Sequence, residues 1–423
     1  MTTVTRDAVA PAWSDVNFRR LWRGSAASTL GSEIAELALP LFALVTLSAS
    51  AAQASTLRVA QFLPFLLATL PAGLLVDRFR RARLRLMIGA DVGRALLVAL
   101  IPVAAWTGLA SMPALYAVVF VAAVLTVVYQ VADFALLPSV VGPDRLVDAN
   151  GKLSATQSAS EIGGRGVGGL LVQVVTAPVA LLLNALGYVV SAVSLSRIRL
   201  ADGPPDDAPP RTSAWREAVA GLRVTVRHRY VRPLLGEAAT FNLCNEAFVL
   251  GLLLYAVRDA DLSPVAIGAV FTAGGVGSFL GAWFGARFTA RFGYGRVLLV
   301  SLVLGNGAPL GVLAAGRAGA ALLPLLCAVF VVMGVGIGIA NVHAVSLRQS
   351  AVPKALRGRV NAAYRLISWG AVPVGAAAGG VIATQAGPFT AMAAGAVGIS
   401  LATLWVALSR VPSLATIADA ARS

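Results

Sequence analysis

Twelve long apolar stretches constrain what this chain can fold into. Each holds about 20 residues with few charges, enough for a helix to cross a hydrocarbon layer of about 30 Å. They lie near residues 21–47, 56–76, 84–107, 113–137, 154–176, 178–197, 234–256, 264–287, 295–315, 320–345, 362–384 and 388–409. Hydrophobic residues make up 58% of the chain and charged residues only 13%, against about 25% charged residues in a soluble domain. The chain must therefore be dissolved in lipid.

The apolar stretches are predicted to be helices. Unpaired backbone polar groups are too costly in lipid, and a helix pairs all of them within itself. Strands of a membrane barrel would alternate apolar and polar residues over about 10 positions, and these stretches do not alternate. The sequence thus predicts an all-α membrane protein with twelve transmembrane helices.

The basic residues predict the orientation. The net charge is +15, which could indicate a nucleic-acid partner, but in membrane proteins Lys and Arg collect on cytoplasmic loops. With the N-terminus inside, the outer connections hold only Arg58, Arg258 and Arg317, while Arg94 and Arg165 fall inside helices. The remaining Lys and Arg then lie on the inner side. We expect a multi-pass protein of the inner (plasma) membrane with both termini cytoplasmic and no nucleic-acid partner.

The longest break between apolar stretches divides the chain. "ADGPPDDAPP" opens it and is typical of a flexible linker. In the following "WREAVAGLRVTVRHRY", Trp215, Val219, Leu222 and Val226 recur at helical spacing among arginines. This pattern predicts an amphipathic helix on the inner leaflet, with a plain solvated helix as the alternative. The predicted division is an N-terminal six-helix bundle at 1–197, a linker at 198–233 and a C-terminal six-helix bundle at 234–423.

The two halves repeat each other. Segments of the first half align with the second at offsets of 213 or 211 residues, and the alignment pairs Glu33 with Glu246, Arg78 with Arg291, Gly164 with Gly375 and Gly168 with Gly379. Repeated halves of six helices are a transporter architecture, with the substrate site between the halves near the bilayer midplane. The sequence predicts two pseudo-symmetric bundles.

A motif between helices 2 and 3 carries a family resemblance. Gly73, Leu75, Asp77, Arg78 and Arg81 match the pattern Gly-x-Leu-x-Asp-Arg-x-Gly-Arg-Arg/Lys, with an arginine in place of the second glycine. In this motif the chain resembles major facilitator superfamily transporters. The resemblance implies that Asp77 locks the halves together on the inside, against the start of helix 11. The alternative is that Asp77 pairs with a neighbouring arginine and only fixes the loop.

Other stretches resemble the multidrug and macrolide exporter branch of that family: "GADVGRALL", "LLPSVVGPDRLVDANGKLSA" and "VPKALRGRVNAAYRLI". The branch usually carries a Gly-Pro pair in helix 5, where this chain has Arg165 in "EIGGRGVGGLL". The missing proline weakens the expectation, implied by the resemblance, that the protein is an antiporter. A charge at this depth needs a partner, and Glu161 stands four residues earlier, a spacing that favours an ion pair. We expect a Glu161–Arg165 pair facing the interior, with an acid of helix 1 as a possible third member.

Acids inside the helices are candidate functional groups. Glu33 and Glu36 lie on neighbouring parts of helix 1, and Glu246 lies in helix 7. Ionisable groups at membrane depth are costly and mark proton or substrate sites; the alternative is a structural pairing with Arg94 or Arg165. Asp91 and Arg94 are three residues apart in helix 3 and are expected to form an inner ion pair, with a structural or gating role.

No P-loop lysine, metal-ligand cluster or nucleophile elbow is visible, so we expect no cofactor, no metal site and no enzymatic activity. The predicted function is a secondary transporter, acting as a monomer, that exports a small amphipathic or apolar compound by alternating access, driven by proton entry. A uniporter or importer of the same fold is the first alternative. A non-transporting receptor or scaffold is more distant, because it would not need repeated halves.

Overall fold

The computed structural model describes most of the chain. The described residues are 11–79, 82–142, 145–199, 214–353, 356–417 and 419; within them the side chains of 70, 77, 135, 147, 214–220, 286 and 290 are not described. This part of the chain is helical and contains no strand. The predicted all-α class is confirmed.

Twelve long helices, one linker helix and a few short helical segments make up the described chain. The first half holds α1 (Val16–Leu41), α2 (Ala51–Arg78), α3 (Arg83–Trp106), α4 (Met112–Val141), α5 (Leu146–Val175) and α6 (Ala177–Ser196). The linker helix is α7 (Ala214–Arg227). The second half holds α8 (Val231–Arg258), α9 (Pro264–Phe292), α10 (Tyr294–Gly307), α11 (Leu322–Ala351), α12 (Arg357–Ala386) and α13 (Pro388–Ala402), followed by the short α14 (Leu404–Ala407).

Ten of the described helices are long and apolar enough to cross a membrane; α2 and α5 are not among them. Both of these helices carry charge in their interior: Arg58 in α2, and Glu161 with Arg165 in α5. The twelve long helices are consistent with the twelve predicted spans. Helices α1, with Glu33 and Glu36, and α8, with Glu246, also carry acids in their interior.

The helices pack as two related bundles. In the first, α1 packs against α5 and α6, and α3 against α4 and α6; in the second, α8 packs against α12 and α13, and α10 against α11. Glycines make matching close approaches. A Cβ at Gly168 would lie 3.0 Å from the carbonyl oxygen of Ile34, and one at Gly379 would lie 2.6 Å from Cα of Ala247. Since Ile34 and Ala247 are themselves 213 residues apart, the predicted pseudo-symmetry is confirmed in the packing.

The halves join mainly along α2–α12 and α5–α9. We call the end of the bundle where α1 begins and α2 ends the arginine-rich face, and the other end the opposite face. One hydrophobic cluster of described residues includes both halves. It contains Leu41, Leu44, Leu253 and Leu254 and lies toward the opposite face, at the end of α1 and in the second half of α8. The other clusters each stay within one half, so apolar packing closes the opposite face.

The linker helix α7 docks on the second half. Gly221 packs against the start of α12, where a Cβ would lie 2.5 Å from the carbonyl oxygen of Arg359, and Thr225 is fully buried. Leu222 and Val226, on the predicted apolar face, stay 38% and 40% exposed. The helix is present as expected, and the described part of its apolar face remains free for a lipid surface.

Candidate functional site

Arg58 is the central cation of the site, although the apolar pattern of the sequence predicts it in an outer connection. That placement was wrong, because α2 begins at Ala51 rather than near residue 56. Ser50 and Gln53 form a capping box, in which the side chain of each accepts from the backbone N–H of the other. Arg58 therefore lies two turns inside the helix, roughly 10 Å from its start, with only 14% of its side chain exposed.

Arg58 joins three helices from both halves. Its Nε and Nη2 donate to the two carboxylate oxygens of Glu246 in α8, both at 3.0 Å. Its Nη1 donates to Glu36 of α1 at 2.6 Å and to Gln61 at 3.1 Å. The Gln61 amide in turn donates to the other oxygen of Glu36 at 3.1 Å. A bidentate arginine–carboxylate pair with extra hydrogen bonds is the strong form of this interaction, and here it connects the two halves.

Glu33 has a different and looser partner. Arg165 Nε lies 3.4 Å from Glu33 Oε2, yet both atoms are buried without a hydrogen-bond partner. The approach depends on Gly164, because a Cβ at that position would lie 2.4 Å from Cβ of Glu33. The Arg165 guanidinium also lies 5.6 Å from the ring centre of Phe271 in α9. Glu33 is thus held by charge proximity without an aligned hydrogen bond.

The expected Glu161–Arg165 pair is not formed. Both residues lie on α5, but the Glu161 side chain is exposed and accepts from Gln157 Nε2 at 2.9 Å. The tight contact at Gly164 brings Arg165 against α1, so Arg165 pairs with Glu33 instead. The acid of helix 1, which the sequence suggested as a third member, is the actual partner.

Arg58, its partners and Arg165 line a cavity of about 200 Å³ between the halves. Its apolar walls come from α1, α2, α8 and α9, and its polar residues are Glu36, Arg58, Gln61, Arg165, Asn245 and Glu246. Pro40 also lines it; a proline has no N–H to donate to the carbonyl four residues earlier, here that of Glu36. Helix α1 then continues as a π-helical turn, Phe42–Thr46. The cavity therefore borders an irregular stretch of α1.

Asp91 and Arg94 form the expected ion pair on α3. The pair lies inside the first half, and both side chains are almost fully buried. The guanidinium lies 4.5 Å from the ring centre of Tyr129 and 4.3 Å from that of Tyr188. The prediction of a pair is confirmed, and its surroundings are those of a structural anchor. It is not part of the cavity between the halves.

The motif between helices 2 and 3, in which Asp77 is the predicted lock, lies only partly within the described residues. Gly73 and Arg78 lie at the end of α2, whereas the side chain of Asp77 and the whole of Arg81 are outside the described residues. Helices α2 and α12 run antiparallel: Ser55 donates to the carbonyl of Ala376 at 2.8 Å, and Gly370 faces Leu66. This register points the end of α2 toward the start of α12. The lock through Asp77 stays a prediction.

The arrangement leaves one carboxylate without a matching cation. The acids Glu33, Glu36 and Glu246 face the arginines Arg58 and Arg165. If all five carry their usual charges, the site has one net negative charge in a place where unpaired charge is costly. A proton or a cationic group can balance it. Within the described residues, no group of three or more His, Cys, Asp or Glu side chains is placed to hold a metal ion.

Comparisons with known proteins agree with this architecture. The chain is 27% identical over 366 residues to the multidrug efflux pump Tap of Mycolicibacterium fortuitum, covering 84% of this chain and 87% of the relative. It is 27% identical over 185 residues to macrolide efflux protein A of Streptococcus pyogenes, covering 44% of this chain and 45% of the relative. Among solved structures, a mutant of the nucleoside transporter NupG superposes with a TM-score of 0.71 at 12% identity, over 93% of this chain and 98% of that one.

The family model of the Major Facilitator Superfamily matches residues 21–376 and 235–421. Together these matches span nearly the whole chain, and the structural neighbour has the same fold over almost its full length. The resemblance first seen in the motif after α2 is therefore confirmed. The chain is a membrane transporter that belongs to the Major Facilitator Superfamily, and it is not an enzyme.

Proposed function

We propose that the protein is a proton-coupled exporter of a small amphipathic or apolar compound, acting by alternating access. The relatives that support export are named as a multidrug efflux pump and a macrolide efflux protein. The mostly apolar cavity with a few convergent charges suits such compounds, because apolar walls bind the body of a ligand and polar groups orient it.

The observation that carries the proposal is the bridge from Arg58 to Glu36 and Glu246. It joins both halves beside the apolar cluster that closes the opposite face. Opening that face would separate α8 from α1 and α2, so the Arg58–Glu246 bond would have to break. A charge pair that exists in only one of two states biases the equilibrium between them. Any ligand that competes for these groups can therefore drive the conformational change.

Glu33 is the proposed proton carrier. Glu36 and Glu246 are engaged by Arg58, whereas Glu33 has only the unaligned contact with Arg165. A proton on Glu33 would remove the one excess negative charge and weaken the hold on Arg165. Proton uptake from one side and release to the other could then be coupled to movement of α5 against α1.

We place the protein in the plasma membrane with the arginine-rich face and both termini in the cytoplasm, and we expect it to act as a monomer. The division at 1–197, 198–233 and 234–423 follows from the same map. A cysteine at Thr107, which is exposed at the opposite face, should react with an impermeant thiol reagent in intact cells. Labelling only after the cells are opened would contradict this orientation.

The function is tested in two steps. A strain expressing the chain is first screened for resistance across a panel of dyes and macrolides. A compound from that screen is then added outside everted membrane vesicles, and its uptake is measured. We expect uptake that an inside-acid proton gradient drives and that a protonophore abolishes. Uptake that a protonophore leaves unchanged would contradict proton coupling, and a panel without any resistance would contradict export of this substrate class.

A further inference from the structure

A second cavity lies inside the C-terminal half, apart from the Arg58 site. It has a volume of about 360 Å³ and is formed by α8, α10, α11 and α12. Its lining residues are different from those of the cavity between the halves. The size is within the usual range for small-molecule pockets. Its position near the first turns of α8 and α12 and the last turns of α11 places it toward the arginine-rich face.

Glu237 supplies a carboxylate to this cavity, about 9 Å along α8 from its start. One of its oxygens accepts from Asn306 Nδ2 at 3.0 Å, and the same amide donates to Thr403 at 3.1 Å. Asn306 is itself buried, so the carboxylate is held in a fixed place. No Lys or Arg of the described residues lies within ion-pair distance of Glu237. An ionised acid inside a membrane bundle without a cation is costly, and either a proton or a positively charged ligand can balance it.

The rest of the wall is suited to an organic ligand. Phe241, Tyr364 and Trp369 contribute aromatic rings, which attract cations through their faces and bury apolar groups. The two arginines of the cavity lie against rings: the guanidinium of Arg348 is 3.6 Å from the ring centre of Tyr364, and that of Arg365 is 5.3 Å from that of Trp369. Neither arginine forms an ion pair with Glu237, and both can donate hydrogen bonds to oxygen atoms of a ligand.

We propose that this cavity is a binding site for a protonated organic amine that also carries oxygen acceptors. The ammonium group donates to Glu237, the apolar body packs on the aromatic rings, and the oxygen atoms face Arg348 and Arg365. Within the part of the chain that the structure describes, no group of three or more His, Cys, Asp or Glu side chains is placed here to hold a metal ion. Binding here does not depend on the export proposed above; it adds a site on the arginine-rich side at which a cationic compound can be held.

The test uses purified full-length protein and two fluorescent probes. Dansylcadaverine carries a primary ammonium group and sulfonyl oxygens, and its N-acetyl derivative has the same body without the charge. We expect wild-type protein to bind the amine, and Glu237→Gln to bind it about ten- to a hundredfold more weakly, the value of a charge-assisted hydrogen bond. Glutamine keeps an oxygen for Asn306, so the fold should be retained. The N-acetyl probe should bind wild type and variant equally.

Two further variants keep the result interpretable. Ala238→Leu fills the cavity without changing charge and should weaken both probes, since Ala238 lines it. Asp259→Asn removes an exposed acid at the far end of α8 and should change neither. Equal amine affinity in wild type and Glu237→Gln, or loss of amine binding only in Glu246→Gln, would overturn the proposal. The vesicle assay tests the transport function independently. If the Glu237→Gln variant still exports a neutral compound in a proton-driven way, the loss of amine binding at this site is distinct from a loss of transport.

Discussion

The molecule holds two buried arginine clusters that use the same chemistry in different places. Arg94 pairs with Asp91 on its own helix and lies between two tyrosine rings inside the first half. Arg58 pairs with Glu36 in its own half and with Glu246 in the other. If the halves move as bodies, the first cluster keeps all its partners, and the second loses one. We therefore expect the Arg94 cluster to stabilise the first half and the Arg58 cluster to control the conformational state.

The largest difference between the clusters is expected for Arg58→Ala. The change leaves Glu36 and Glu246 without a cation, and truncating one partner of a buried charge pair costs about 3–5 kcal/mol. Because the lost bond belongs to one conformational state, we expect transport per folded molecule to fall roughly a hundredfold or more. Vesicle transport normalised to folded protein measures this. Arg317→Ala, an exposed arginine at the opposite face, is the matched control. Near-normal transport by Arg58→Ala would remove the cluster from the mechanism.

Arg94→Ala should show the reverse pattern. Asp91 is fully buried and would lose its ion pair, so we expect a stability loss of about 3–5 kcal/mol and less folded protein in the membrane. The molecules that do fold should transport at a rate close to that of wild type. Thermal unfolding in detergent, measured beside vesicle transport, separates the two effects. A stable Arg94→Ala protein that does not transport would reverse the comparison and make Arg94 a functional residue.

Glu33→Gln sharpens the assignment of the proton within the Arg58 site. The variant has no excess negative charge to balance, so substrate should still move down its gradient while accumulation driven by the proton gradient is lost, an effect of about tenfold or more. Glu161→Gln is the control, since Glu161 is an exposed acid one helical turn before Arg165. Substrate accumulation against its gradient by Glu33→Gln would exclude Glu33 as the coupling group.

The smallest expected effect concerns Arg165, whose side chain is 37% exposed. Arg165→Ala should cost about 1 kcal/mol of stability, since partly exposed charge pairs are weak. Adding Glu33→Gln should recover part of the loss, because the unpaired acid is then removed; adding Glu161→Gln should not. Melting temperatures of the three variants decide this. If adding Glu161→Gln recovers stability and adding Glu33→Gln does not, the result would support the Glu161–Arg165 pair that the sequence predicted.

The sequence was informative about the fold because the bilayer requires apolar helices of a defined length. Apolar length located the helices, and the repeat, at offsets of 211 and 213 residues, anticipated the matching contacts Gly168–Ile34 and Gly379–Ala247. Helix ends were less accurate: α5 begins at Leu146 rather than near 154, because polar helical turns extend beyond the apolar stretch. The same effect hid Arg58, although the capping box of Ser50 and Gln53 could have located the start of α2.

The sequence predicted the acids of the site, but it did not predict which arginine each acid pairs with. The repeat aligns Glu33 with Glu246, so the two acids were expected at equivalent positions of the two halves. The cations break that symmetry: at the 213-residue offset the partner of Arg58 is Phe271, so the first half supplies an arginine where the second supplies a ring. Which acid faces which arginine depends on the approach of α5 to α1 at Gly164 and of α2 to α8. These are distances between helices in the folded protein. The spacing of two residues along one helix, such as Glu161 and Arg165, does not determine them.

The most direct test of the Arg58 bridge is the distance between the halves at the opposite face. Spin labels at Thr107 and Arg317, both exposed there, report this distance by double electron–electron resonance in a functional double-cysteine protein from which Cys244 and Cys327 have been removed. In wild type we expect one dominant distance, that of the closed face. Glu246→Gln removes the charge pair between the halves and should add a longer distance, because only the closed state loses an interaction. A Glu246→Gln distribution that overlays wild type would contradict the claim that this bridge holds the face closed.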